Sequence, residues 1–372
     1  MSIDQQAAEA FLDELYPALL RRPPTAGERA AWSAQLANGQ SMRDVLRAIV
    51  RGVEYRSWHA VPLFCPPGHF FSPVVDPDSV RDYVEREWDQ LPGRIAGIAF
   101  DLPGMLAFWQ KQREFIRTTP FREEPGGGDR YHVAGSPYPL SDAVVLRAMI
   151  GAHRPKRIIE IGSGSSTACI LDSADHVGLD LRLTCIEPYP ERMLSLLRPG
   201  DQERITLIER AVQLVPPEEF AGLGPGDILF IDSTHVLKTG SDVHYELFHI
   251  LPVLRPGVLV HFHDCRYPFE YPHGFIFERN YSWNEAYAVR AFLMYNPRFR
   301  IIFHASLFAR RHRKLVAETF PAMLANPGSS LWLEVRRRPL PAGAPASGAV
   351  RPGRGAGRPQ PGAPGQRRNR PS

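Results

Sequence analysis

Three short stretches of this chain hold residue types that could do chemistry together. The first, Glu160-Ile161-Gly162-Ser163-Gly164-Ser165-Ser166-Thr167, ends an apolar run and opens the helical segment ACILDSA. Glycines at such a turn let a ligand come close to the backbone. Glu187, in CIEPYP, follows Gly164 by 23 residues, near the spacing of about 20 at which a carboxylate takes both hydroxyls of a ribose. A dinucleotide site continues to a third small residue, but Thr167 stands there, and Glu160 lies two residues before the first glycine. An acid repels a pyrophosphate and suits an ammonium group. The spacing therefore points to a nucleoside with a cationic part; a tight turn that binds nothing is the alternative.

The other two stretches are Asp232-Ser233-Thr234-His235 and His261-Phe262-His263-Asp264, each leaving a β-branched or apolar run. Carboxylates from adjacent strand ends can grip a divalent cation, which lowers the pKa of a bound hydroxyl. The candidate metal ligands are Asp232, His263 and Asp264; a cap or a cofactor contact is the other reading of Asp232. His235, three residues beyond Asp232, has the imidazole a general base needs near neutral pH; a hydrogen-bonded loop histidine is the alternative. His261, deeper in its strand, reads as structural. Lys238, the Asp242-Val243-His244-Tyr245 helix start, the loop Tyr267–Pro272 and Trp283 are expected around a substrate mouth, or packed on their own domain.

What positions these residues is an alternation of short strands with helix-length segments: RIIEIG, RLTCIEP, RITLIER, DILFID, VLVHFHD, then RFRIIFH and SSLWLEVRR. It predicts an α/β fold, a Rossmann-like seven-stranded, mostly parallel sheet with helices on both faces. Ligands then sit at the carboxyl ends of the strands.

Residues 1–57 read as a small all-α module. Phe11, Leu12, Leu15, Tyr16, Leu19 and Leu20 recur at helical spacing, and Thr25 with Glu28, then Ser41 with Asp44, have helix-start spacing. Residues 58–129 read as a linker and helical lid region, with helical patterns near Ser79–Leu91 and Gly104–Ile116. The α/β domain follows over 130–335. The tail, 336–372, holds nine arginines, eight prolines and seven glycines without an acid, a composition that cannot build a core. Without it the net charge falls from +4 to −5, so only the tail offers nucleic acid a weak electrostatic attraction.

Four cysteines without a CxxC pair suggest neither disulfides nor a cysteine zinc site. No apolar run is long enough to span a membrane, and the N-terminus lacks signal-peptide character. A soluble, cytoplasmic protein of bacterial type is expected.

The run KRIIEIGSGSSTACILD, then TCIEPYP, then DILFIDSTHVLKTGSDVHYELFHILPVLRPGVLVHFHDCRYPFEYP, resembles the class I S-adenosylmethionine-dependent methyltransferases, and among them a bacterial group that includes sugar and natural-product O-methyltransferases. The resemblance covers roughly Tyr131–Val335. It implies that Glu160, Gly162, Ser163 and Gly164 surround the methionine moiety of S-adenosyl-L-methionine, that Glu187 holds the ribose, that Ala211 and Val212 border the adenine, and that Asp232 lies by the cofactor. It further implies magnesium on the aspartates and His235 as base, with a small-molecule or glycosyl acceptor. His263 departs from it, since an acid is expected there, which favours a softer metal or none. LYPALLRRPPTAGERAAWSAQLANGQSMRDVLRAIVRGVEY resembles a small helical module of unknown function from bacterial secreted, surface and glycan-related proteins, and a docking partner for it is one expectation. Two rival functions stay open: a nicotinamide-dependent oxidoreductase, and a non-catalytic scaffold with a relic domain.

Overall fold

The computed structural model describes residues 5–20, 22–52, 54–55, 64–89, 92–126 and 128–337. The tail from 338 onward and residues 56–63 lie outside the described residues. The chain divides into two compact units. Of the described residues, the first unit comprises those between 5 and 94 with 235–237 and 268–286, and the second comprises the others, between 95 and 337.

In the first unit, α1 (Gln5–Leu20), α2 (Ala26–Ala37) and α3 (Met42–Arg51) form the expected helical module. Its core gathers Ala8, Leu12, Tyr16, Leu20, Leu36, Val45 and Ile49. The amides at the start of α2 are met as the spacing predicted. Thr25 accepts from Glu28 N while the Glu28 carboxylate accepts from Thr25 N, and Ser41 accepts from Asp44 N at the start of α3. The indole of Trp32 donates to the Tyr16 hydroxyl at 2.8 Å, which satisfies a half-buried polar atom between α1 and α2. A fourth helix, α4 (Pro77–Asp89), matches the expected pattern near Ser79.

In the second unit, α5 (Leu102–Arg117) and α6 (Leu140–His153) precede β1 (Arg157–Ile161), α7 (Ser165–His176), β2 (Arg182–Ile186), α8 (Glu191–Leu196), β3 (Ile205–Ile208), β4 (Ile228–Ile231), β5 (Leu259–Phe262), β6 (Phe299–His304) and β7 (Leu331–Val335). The seven strands are ordered β3-β2-β1-β4-β5-β7-β6. β1 to β5 pair in parallel, and β7 runs antiparallel to both β5 and β6. β1 and β4 are neighbours although two strands separate them in sequence, so the order reverses between them and opens a crevice at their carboxyl ends. β4 and β5 are buried along their whole length, as a sheet covered on both faces requires. The helix α5, expected in the connecting region, belongs to this unit. Its Trp109 ring lies parallel to Phe303 of β6 and 4.7 Å from the Phe308 ring.

Candidate active site

The crevice is closed at its floor by the first glycine of the loop. Gly162 adopts φ +81, and a Cβ there would lie 1.8 Å from the Asp232 carbonyl oxygen. Backbone therefore packs on backbone where β1 and β4 end. The ladder continues through this point, with Gly162 N donating to Ile186 O, Asp232 N to Ile161 O and Glu187 N to Ile208 O. The ends of β1, β2 and β4 are thus locked in one register, and the side chains that follow emerge side by side.

Glu160 does not line the crevice. It is fully buried below the loop, where its Oε2 accepts from Thr167 Oγ1 at 2.5 Å, and Thr167 Oγ1 accepts in turn from Gly164 N. Its other oxygen, Oε1, is buried without a hydrogen-bond partner. Burial of a carboxylate favours the neutral acid, and it pushes Glu160 up to about 7 despite the donors around it. Thr167 therefore serves as a strut between acid and loop, a task that the small residue of a dinucleotide turn could not perform.

Gly162, Ser163, Gly164, Glu187 and Asp232 all line a cavity of about 170 Å3, together with Pro137 and Tyr138. Each oxygen of the Glu187 carboxylate is already steadied by a backbone amide: Oε2 accepts from Ser163 N and Oε1 from Tyr189 N. That fixes the carboxylate at the rim with lone pairs to spare for hydroxyl donors. Pro137 and Tyr138 are held by a buried knot upstream. Arg130 pairs with Asp172 at 2.7 Å and with Asp201 at 2.5 Å, and Asp172 also accepts from the amides of Arg130 and Tyr131. The Tyr131 hydroxyl then donates to Tyr138 O. Ala211 and Val212 follow β3 and lie outside the lining of this cavity. Of the residues expected around the cofactor, the cavity thus gathers Gly162, Ser163, Gly164, Glu187 and Asp232, and leaves out Glu160, Ala211 and Val212.

The residues after β5 are brought near one another but not into a donor set. His263 Nε2 lies 3.9 Å from Asp264 Oδ1, which accepts from Ser329 Oγ at 3.0 Å. His263 is buried, its ring 5.1 Å from that of Tyr138. Among the described residues no three His, Cys, Asp or Glu side chains are arranged to hold a metal ion. Asp232, His263 and Asp264 therefore do not fit a magnesium site as they stand; a nitrogen donor and one engaged carboxylate are poor ligands for a hard cation. His261 is fully buried between the rings of Phe230 and Trp332, and burial drives its pKa well below the usual value, so it stays neutral.

His235 belongs to the first unit, where residues about 50 positions later in the sequence surround it. Its Nδ1 lies 2.7 Å from Glu285 Oε2, with both side chains almost wholly buried. Its ring is 4.4 Å from Trp283, which stacks on Tyr281 at 4.5 Å. His235 takes φ +61, a strained conformation for a residue with a Cβ. Glu285 was missed because 50 residues separate it from His235. The available signal was an acid between Asn284 and an apolar helical run.

Residues 159–265 match a family model described as a methyltransferase domain. An uncharacterized protein of Archaeoglobus fulgidus is 29% identical over 133 residues, which is 35% of this chain and 60% of that protein. The chain thus spans about three fifths of the curated relative it matches. Among solved structures, the O-methyltransferase TomG of Streptomyces achromogenes, bound to S-adenosylmethionine, is 16% identical over 68% of this chain and 96% of that one, with a TM-score of 0.37. The S-adenosylhomocysteine-bound methyltransferase PaMTH1 of Podospora anserina is 15% identical over 70% and 97%, with a TM-score of 0.36. Neither overlap reaches a TM-score of 0.5, so the assignment rests on the family match and the strand order. Residues 159–265 are a methyltransferase domain, and they carry strands β2 to β5 with most of β1.

Proposed function

We propose that the protein transfers a methyl group from S-adenosyl-L-methionine to a hydroxyl of a small molecule, sugar or glycosyl group. The observation that carries this reading is the crevice over Gly162, floored by the Asp232 carbonyl and rimmed by a Glu187 carboxylate fixed on two backbone amides. When bound, the donor supplies an electrophilic methyl on a sulfonium, and transfer is an in-line displacement that depends mostly on alignment. Glu187 accepts the ribose hydroxyls. The amides of the loop and Tyr138 bound the methionine part, and the buried Glu160 acts on a cation above it through its charge. His235 takes the acceptor's proton. Free cysteines throughout, three of them buried, suit a reducing compartment and support a cytoplasmic site of action. No helix among the described residues is long and apolar enough to cross a membrane.

Calorimetric titration with S-adenosylmethionine and S-adenosylhomocysteine, followed by a screen of hydroxylated acceptors with labelled donor, tests the reading. Binding of both nucleosides in the micromolar range is expected, with no binding of reduced nicotinamide cofactors. Absence of binding at millimolar donor would sink it.

A further inference from the structure

The geometry points to Glu285 as a positioning residue for His235, fixing its imidazole with the proton on Nδ1 and the lone pair on Nε2. The inference rests on the reading of His235 as the proton acceptor and adds the group that decides which nitrogen accepts. With Glu285 ionised, Nδ1 donates to its Oε2 across the 2.7 Å contact. In the neutral ring the lone pair is then on Nε2, the atom remote from the backbone. Free neutral imidazole side chains prefer the opposite tautomer, so the pairing selects a minor form.

Three consecutive residues build the arrangement, which sets it apart from an incidental ion pair. Trp283 covers the His235 ring at 4.4 Å. Asn284 staples the adjoining backbone, accepting from Leu237 N at 2.6 Å and donating to Leu237 O at 3.3 Å. The amides of Asn284 and Glu285 both donate to the His235 carbonyl at 3.1 Å. Two residues on from Asn284, Ala286 N donates to the Tyr271 hydroxyl, which ties the start of the helix Glu285–Leu293 to the loop before it. His235 is held at φ +61 by these bonds, and a strained backbone persists only where its surroundings over-determine it. Both partners of the pair are nearly excluded from water, at 7% and 2% side-chain exposure, so the charge-assisted bond is little weakened by solvent.

The test reads the ring itself. Full-length protein with its 13 histidines labelled with heavy nitrogen is examined by long-range nitrogen–proton correlation spectroscopy near pH 7.5, with His235→Gln identifying the signals of interest. His235 is expected predominantly as the Nδ1–H tautomer. In Glu285→Ala that form should drop to a minority, with the Nε2–H form replacing it, while Glu285→Asp keeps the Nδ1–H form. If the surrounding backbone rather than Glu285 sets the ring, a folded Glu285→Ala protein keeps the tautomer unchanged. If Glu285→Ala does not fold, as judged by melting, the wild type and Glu285→Asp decide. Nε2–H His235 in the wild type, or an unchanged tautomer in folded Glu285→Ala, overturns the assignment. The measurement uses neither donor nor acceptor, so a failed acceptor screen leaves its outcome intact.

Discussion

The glycine crevice and the His235 pocket are built in opposite ways. The crevice is made of backbone: strand ends in one register, a glycine whose missing Cβ leaves room for a carbonyl, and a carboxylate seated on amides. The His235 pocket is made of side chains, with Glu285, Asn284 and Trp283 holding a residue 50 positions away. Backbone sites tolerate little change in any residue that shapes the chain and much change elsewhere. Side-chain sites can be dismantled one group at a time while the fold persists.

The largest expected effect follows from that contrast. Gly162→Ala places a methyl 1.8 Å from the Asp232 carbonyl at φ +81, and something in the sheet must move. A loss of more than about 4 kcal/mol of stability is expected, the range reserved for such mechanisms. Gly178 has a similar positive φ of +58, but open space around it, so Gly178→Ala should cost only about 1–2 kcal/mol. Denaturant unfolding of the two variants side by side measures the difference. Equal costs would mean that the close approach does not govern the crevice.

Next in size, Glu187→Ala removes a charged hydrogen-bond acceptor at the rim and leaves the sheet intact. Charged hydrogen bonds contribute about 1.5–3 kcal/mol, so the affinity for S-adenosylhomocysteine should fall about 10- to 100-fold, while the lost bonds to the Ser163 and Tyr189 amides lower the melting temperature modestly. Titration calorimetry reads it, and unaltered affinity would remove Glu187 from the site.

The same contrast explains what the sequence made legible. Seven strands and their order of appearance followed from runs such as RIIEIG and DILFID, because a doubly covered sheet writes itself as short continuous apolar stretches. Gly162 and Glu187 were legible because they sit at fixed offsets from strand ends. Glu160 reads in the sequence as an acid suited to an ammonium group, but its burial beneath the loop, with Thr167 as intermediary, depends on side-chain direction that spacing does not encode. Ala211 and Val212 were placed by resemblance, and the cavity at the loop does not reach them. Helix α5 read as a connector because its packing partners, Phe303 and Phe308, come almost 200 residues later. Glu285 lies 50 residues from His235, and an acid at the start of an apolar helical run is its one local signal.

A smaller effect sharpens the account of Glu160. Its folded-state pKa is raised to about 7 by burial, above the ordinary carboxylate value, so the free protein binds more protons folded than unfolded. The stability this proton provides is present below the ordinary value and is lost as pH rises through about 7. A cationic donor bound above the loop favours the ionised form. Its affinity should therefore rise about tenfold between pH 6 and 8 in wild type, with a proton released on binding at the lower pH. Glu160→Gln should flatten that dependence. Titrations in buffers of different ionisation enthalpy count the proton, and a wild-type profile as flat as the variant's would show that the acid is not coupled to the ligand.

The smallest effect concerns the cluster after β5, which lies between the two modes of construction. Asp264 takes φ +49 and spends one oxygen on Ser329, while His263 is buried against Tyr138. A cation binding there would have to break the Ser329 bond and turn a packed imidazole, and magnesium prefers oxygen donors and gives up its waters reluctantly. Magnesium at 1 mM should consequently shift the melting temperature by less than about 1 °C, since ligand stabilisation scales with concentration over dissociation constant. Replacing His263 by Asp supplies the missing oxygen donor beside Asp232 and Asp264, and that variant should respond to magnesium more than the wild type does. A wild-type shift of several degrees, abolished in Asp264→Asn, would instead show that the cluster rearranges around a metal, and that this corner of the crevice, like the His235 pocket, is set by side chains rather than by backbone.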